Sequence, residues 1–191
     1  MSAQQPEHPS RYDRSFNGLI AALVATVVII AAYVGIRALL RDQPDVTADS
    51  VDYLSQVEEL NDAGVTTVVY PPTLPPGWRA TSVDYDPGTP LTWSLGFVTD
   101  DDEFVGIRQE KADVDDLIDT YVDEDADEGD PATVPSAVGD TWQTWTDDGG
   151  DSAFLLEDAA TGQTVLVYGS ASVAQQEAFI STLTTDPLPE R

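Results

Sequence analysis

From Leu19 to Ile36 the chain reads LIAALVATVVIIAAYVGI, with no charged residue and no proline. With Phe16, Asn17 and Gly18 in front, the run reaches the ~20 residues that an α-helix needs to cross ~30 Å of hydrocarbon. Leu19, Ile20, Leu23, Val24, Val27, Val28, Ile29, Ile30, Val34 and Ile36 make it apolar all round. A buried helix of a soluble domain normally keeps a polar stripe, and this run has none. Arg11 and Arg14 precede it and Arg37 and Arg41 follow it, placed to reach the headgroups, while Tyr12 and Tyr33 fall near the two interfaces. A cleaved signal peptide has a shorter apolar core of ~7–15 residues followed by a small-residue cleavage site. Here the run continues into Ile36-Arg37-Ala38-Leu39-Leu40-Arg41, and the chain has no cysteine to carry a lipid. The expectation is a single-pass transmembrane anchor over residues 16–41, partnered by the lipid bilayer.

Orientation follows from charge only indirectly. Lys and Arg close to the span set topology, and two arginines stand on each side. Of 8 basic and 35 acidic residues, only four arginines, Glu7 and Asp13 precede Asp42, so residues 42–191 carry 4 basic and 33 acidic groups, a formal charge of −29. Long acidic domains translocate largely regardless of charge. A short N-terminal tail inside and the domain outside the cytoplasmic membrane is the arrangement expected of an uncleaved anchor. So large a negative charge repels phosphates, which argues against nucleic acid as a partner; its plain role is to keep the domain soluble, and the partners it would attract are cations, basic peptides or the basic face of an envelope protein.

The remaining ~150 residues are enough for one domain with its own core. Residues 1–15, with Pro6 and Pro9, read as a disordered tail, and 42–64 as a linker with a short helix marked by Val51, Leu54, Val57 and Leu60. An α+β domain is expected over 65–185, followed by a disordered tail over 186–191. Four prolines between Pro71 and Pro76 make a rigid extended loop that ends at Trp78. Arg79 to Asp86 reads as a strand. Leu91 to Thr99 and Glu103 to Glu110 alternate around Asp100-Asp101-Asp102 as a β-hairpin. Asp113 opens a helix with Val114, Leu117, Ile118, Tyr121 and Val122 on one side. Asp123 to Ala137 lacks any period and reads as a mobile loop. Thr141 to Thr146, Ala153 to Glu157 and Thr164 to Tyr168 follow as an antiparallel meander. Ser172 and Gln175 then stand at capping-box spacing before a helix whose stripe is Val173, Gln176, Ile180 and Leu183, beside Phe179. The sum is an antiparallel sheet of five to seven strands with two amphipathic helices packed on one face.

Four segments carry a resemblance: RYDRSFNG at 11–18, YPPTLPPGW at 70–78, WSLGFVT at 93–99 and FVGIRQ at 104–109. Together they resemble an actinobacterial family of single-pass membrane proteins catalogued as a domain of unknown function, family 4245. The resemblance covers nearly the whole chain. It implies a membrane topology and an envelope location, and brings no catalytic residue with it.

The chemistry open to the domain is narrow. His8, the only histidine, lies in the N-terminal tail, across the membrane from the domain if the span is real, which removes histidine-based triads and zinc sites. Lys111 is the sole lysine and no Ser-x-x-Lys precedes it; nor is there a glycine loop for phosphate. No catalytic, cofactor or metal residue is singled out. Carboxylate pairs remain for hydrolysis, but 33 acids select none. Asp123, Asp125, Asp127 and Asp130 supply oxygens suited to calcium, yet Glu128 and Val134 stand where an EF-hand loop starting at Asp123 needs Gly and a carboxylate. Trp142 and Trp145 lie three apart on one strand and so point to opposite faces; core packing with one amphipathic surface tryptophan is the plain reading, and whichever of the two leaves the core side is the candidate partner surface. The expected function is a non-enzymatic binding or accessory module. The alternative is a cation- or small-ligand-sensing domain, and a carboxylate-dependent hydrolase is third.

Overall fold

Strict alternation builds the centre of the sheet. Trp93, Leu95 and Phe97 turn to one face, and Val105 and Ile107 on the paired strand turn to the same face, opposite Phe97 and Leu95. The computed structural model describes residues 50–65, 67–88, 91–158 and 162–188. They belong to the unit Thr47–Arg191. The expected tail 1–15, the anchor over 16–41, the start of the linker and the final residues lie outside the described residues. Among the described residues no helix is long and apolar enough to cross a membrane.

The elements are α1 (Tyr53–Asp62), β1 (Arg79–Asp86), β2 (Thr92–Val98), β3 (Phe104–Glu110), α2 (Val114–Tyr121), β4 (Asp127–Glu128), β5 (Ala132–Thr133), β6 (Thr141–Thr146), β7 (Ser152–Asp158), β8 (Gln163–Gly169) and α3 (Val173–Ile180). The strands form one eight-stranded sheet in the order β1-β2-β3-β8-β7-β6-β4, with β5 also paired to β6. Every pairing is antiparallel. The α+β class and the meander are therefore as expected, but the strand count exceeds five to seven. The extra strands come from the stretch read as a mobile loop: Asp127 and Glu128 pair with Thr146 and Trp145, and Ala132 and Thr133 pair with Trp142 and Thr141. Two-residue strands are too short to show a period in sequence.

The helices differ more. Among the described residues three are present, on both faces of the sheet. The first face carries Trp93, Phe97, Val105, Ile107, Phe154 and Val167, and α1 and α3 pack there through Tyr53, Val57, Leu60, Phe179 and Ile180. The second face carries Trp145, Ala153, Leu155 and Leu166, and α2 packs there through Leu117 and Ile118. The cause lies in β7 and β8: strands apolar on both faces demand a layer on each side. Burying Leu155 and Leu166 needs α2, while Phe154 and Val167 face the other way.

The helix assigned to a linker is thus part of the domain, whose boundary moves back from residue 65. Asp52 caps α1 by accepting from Ser55 N, and the Tyr53 hydroxyl donates to Pro71 O at 2.7 Å. Tyr53, Val57 and Leu60 are buried, a stripe one position round from that read through Val51 and Leu54. At α3 the capping box of Ser172 and Gln175 is present, and Gln176, Phe179, Ile180 and Leu183 are buried, while Val173 at the helix start is 51% exposed. Asp113 holds the N-cap position of α2 without a side-chain cap hydrogen bond.

The proline-rich loop and the last residues meet. Tyr70 and Thr184 exchange two backbone hydrogen bonds of 3.0 Å, and the Tyr70 hydroxyl donates to Asp186 O at 2.6 Å. This latch holds both segments at the rim of the first face.

Candidate functional site

Gln109 breaks the alternation of β3. It follows Val105 and Ile107 on the first face, where an apolar side chain would fit, and it is 3% exposed. A buried carboxamide must find partners or cost about 1–3 kcal/mol. Gln109 finds them in the incoming chain: its Oε1 accepts from Val69 N at 2.8 Å, and its Nε2 donates to Thr67 O and to Gln163 Oε1, each at 2.7 Å. Both amide hydrogens are thereby used. Trp93 adds a bond from Nε1 to Val69 O at 2.9 Å. The segment around Val69 is pinned across the end of the sheet by side chains instead of by a strand ladder.

Beside this strap lies a recess of about 270 Å³. Val69, Val138, Leu156 and Val165 form its apolar wall, and Thr67, Gln109, Gln163, Thr185 and Asp158 its polar part. A second, more open hollow of about 480 Å³ shares Asp158 and Gln163 and is lined further by Lys111, Asp113, Glu157 and Thr164. Pinned as it is by the Gln109 bonds, the wall of the recess is formed before any ligand arrives.

The side chains singled out from sequence lie elsewhere. Trp142 and Trp145 do take opposite faces, but they are 0% and 8% exposed. Trp142 sits in the first core and donates from Nε1 to Val134 O, and Trp145 lies in the core that α2 covers. Neither presents a surface to a partner, because each face carries its own layer: the first core encloses Trp142 and α2 covers Trp145. In the acidic stretch Asp123 accepts from Asp125 N in a local turn. Among the described residues no group of three or more His, Cys, Asp or Glu is placed to hold a metal. The sequence reading also passed over an aromatic ladder on the second face. There Arg108 pairs with Glu110 through two bonds of 3.2 and 3.1 Å and lies over the Tyr121 ring, which meets Tyr168. Gln109 left a signal of its own, a polar residue at an inward position of a strand.

At the opposite end of the sheet burial pushes the Asp151 carboxyl up, and Asp147 and Glu103 add to the effect. The folded protein holds this proton to higher pH than the unfolded chain. Its stabilising effect is therefore greatest below the ordinary value of 3.8 and is lost as pH rises through the raised value. Asp151→Asn is expected to raise the melting temperature at pH 7 and to lose that advantage near pH 3.5. A melting temperature at pH 7 lower than that of the parent would contradict this.

Fold and recess together define an α+β domain, one antiparallel sheet between helices on both faces, with a small preformed hollow at one sheet end. The chain belongs to the family described as Protein of unknown function (DUF4245), whose match runs over residues 11–183 and takes in the apolar stretch as well as the domain. No curated protein and no solved structure matches it.

Proposed function

We propose that this is a single-pass protein of the cell envelope, anchored in the cytoplasmic membrane by residues 19–36, whose domain acts outside as a non-enzymatic binding or accessory module. The observation that carries the binding reading is the recess beside Gln109, preformed and lined by both apolar and hydrogen-bonding groups. The uncharged run of residues 19–36 supports the anchor, and the formal charge of −29 over residues 42–191 supports a basic or cationic partner. The actinobacterial assignment rests on the resemblance of the four quoted segments.

Protease treatment of intact cells carrying a tag at each terminus tests the topology. Loss of the C-terminal tag with the N-terminal tag protected is the expected result. Protection of the C-terminal tag would put the domain in the cytoplasm and overturn the envelope reading. A second reading, an extracytoplasmic small-ligand sensor, is favoured by the same recess. It differs in predicting that a small molecule alone shifts the thermal stability, whereas an accessory module co-purifies with a protein in mild detergent.

A further inference from the structure

We infer that the recess beside Gln109 takes a small organic cation, an ammonium group on a short alkyl body, with the charge at Asp158 and the body against Val69, Leu156 and Val165. This rests on the reading of the domain as a binding module and names the ligand that module holds. Four observations carry it. Val69, Val138, Leu156 and Val165 stand beside the polar groups of the lining, so the recess offers a short alkyl body apolar surface as well as hydrogen-bonding partners. Among the described residues that line the recess, Asp158 alone bears a formal charge and none is Arg, Lys or His. Gln109, buried and with both amide hydrogens committed to Thr67 O and Gln163 Oε1, fixes the polar side of the wall. The outer hollow carries Asp113, Glu157 and Asp158 against Lys111, so an approaching anion meets net negative charge there as well.

Asp158 already has an interaction within the domain. Its two oxygens together offer about four acceptor sites, so a bound ammonium adds to that interaction and does not have to replace it. An ion pair at a half-open rim is worth little alone. The affinity for an alkylammonium therefore comes from body and head together. The alcohol of the same length retains the body and loses the charge, and the carboxylate of that length is repelled.

The test uses the purified full-length chain in lipid nanodiscs, titrated calorimetrically at constant ionic strength with butylammonium, 1-butanol and butyrate, with empty nanodiscs as the blank. Butylammonium is expected to bind saturably, about two- to fivefold more tightly than 1-butanol, and butyrate not to bind. Asp158→Asn is expected to bring butylammonium down to the level of the alcohol. Val138→Trp, which fills the recess from its loop side, is expected to abolish both while the melting temperature stays near that of the parent. Equal binding of amine and alcohol, or full butylammonium binding by Asp158→Asn, would overturn the cationic class and leave the binding module standing. Butylammonium binding that survives Val138→Trp would place it outside the recess and overturn the site. If none of the three probes binds, the inference fails, and the accessory reading is still judged by co-purification.

Discussion

Gly169→Ala is expected to destabilise the protein by about 3–5 kcal/mol, a large share of the ~5–15 kcal/mol that holds a domain of this kind together. Gly169 ends β8 at φ +142, a conformation that side chains rarely adopt. A Cβ there would also overlap the Phe104 carbonyl oxygen and lie 2.9 Å from its carbon. Neither group can retreat cheaply. The Gly169 carbonyl accepts from the buried Gln176 Nε2 at 3.0 Å, and Phe104 O accepts from Ala171 N at 3.2 Å, so a shift of either strand breaks a bond beneath α3. Gly64→Ala is the control. Gly64 also has positive φ, +85, but a Cβ there would meet nothing within 4 Å, so only the conformational cost of about 1 kcal/mol remains. Urea unfolding followed by tryptophan fluorescence separates the two. Equal losses would show that the close approach to Phe104 is unimportant.

Trp93→Ala is expected to cost about 3–5 kcal/mol as well, by a different route. Trp93 is fully buried, packs edge-on against Tyr85 and donates from Nε1 to Val69 O. Alanine leaves a cavity in the first core and removes the donor from a buried carbonyl. Trp93→Phe keeps most of the packing and removes only the donor, so its cost is expected to be about 1–3 kcal/mol. Because Val69 also lines the recess, Trp93→Phe should weaken ligand binding while the sheet stays folded. Circular dichroism with urea unfolding measures the stabilities. Equal losses for Trp93→Ala and Trp93→Phe would show that the hydrogen bond, not the ring volume, carries the effect.

Much of the sheet was legible before any coordinates, because alternation in β2 and β3 and the acidic turn between them leave one hairpin register. β1 runs over the same residues as read from sequence, Arg79 to Asp86. The placement of α2 was legible too, but its meaning was missed. Ala153-Phe154-Leu155-Leu156 and Val165-Leu166-Val167 are continuous apolar runs, and a run of that kind marks a strand buried on both faces. That pattern calls for a helix on each side, so the two predicted helices could not share a face. Placing α1 in a linker failed for a related reason: its stripe was read without Tyr53, the residue that docks it on Phe97 with ring centroids 5.6 Å apart. The recess was the least legible part. It joins residues from Thr67 to Thr185, and only the inward position of Gln109 hints at it from local pattern. Trp142 and Trp145 show the limit of a face argument, which says where a side chain points and not what lies over it.

The latch between Tyr70 and Thr184 bears on how the molecule is made. Its phenolic bond to Asp186 spans 116 positions, and the central pairing of β3 with β8 joins segments more than fifty residues apart. Contacts this distant in sequence have to wait for loop closure, which slows folding of a sheet built from them. Synthesis delivers the N-terminal half first, with the aromatic face of β2 and β3 complete but without β8 and α3 to cover it. The nascent hairpin therefore passes through an interval in which Phe97 has the Tyr53 ring of α1 beside it but still lacks the Phe179 ring of α3, whose centroid lies 5.2 Å away in the folded domain.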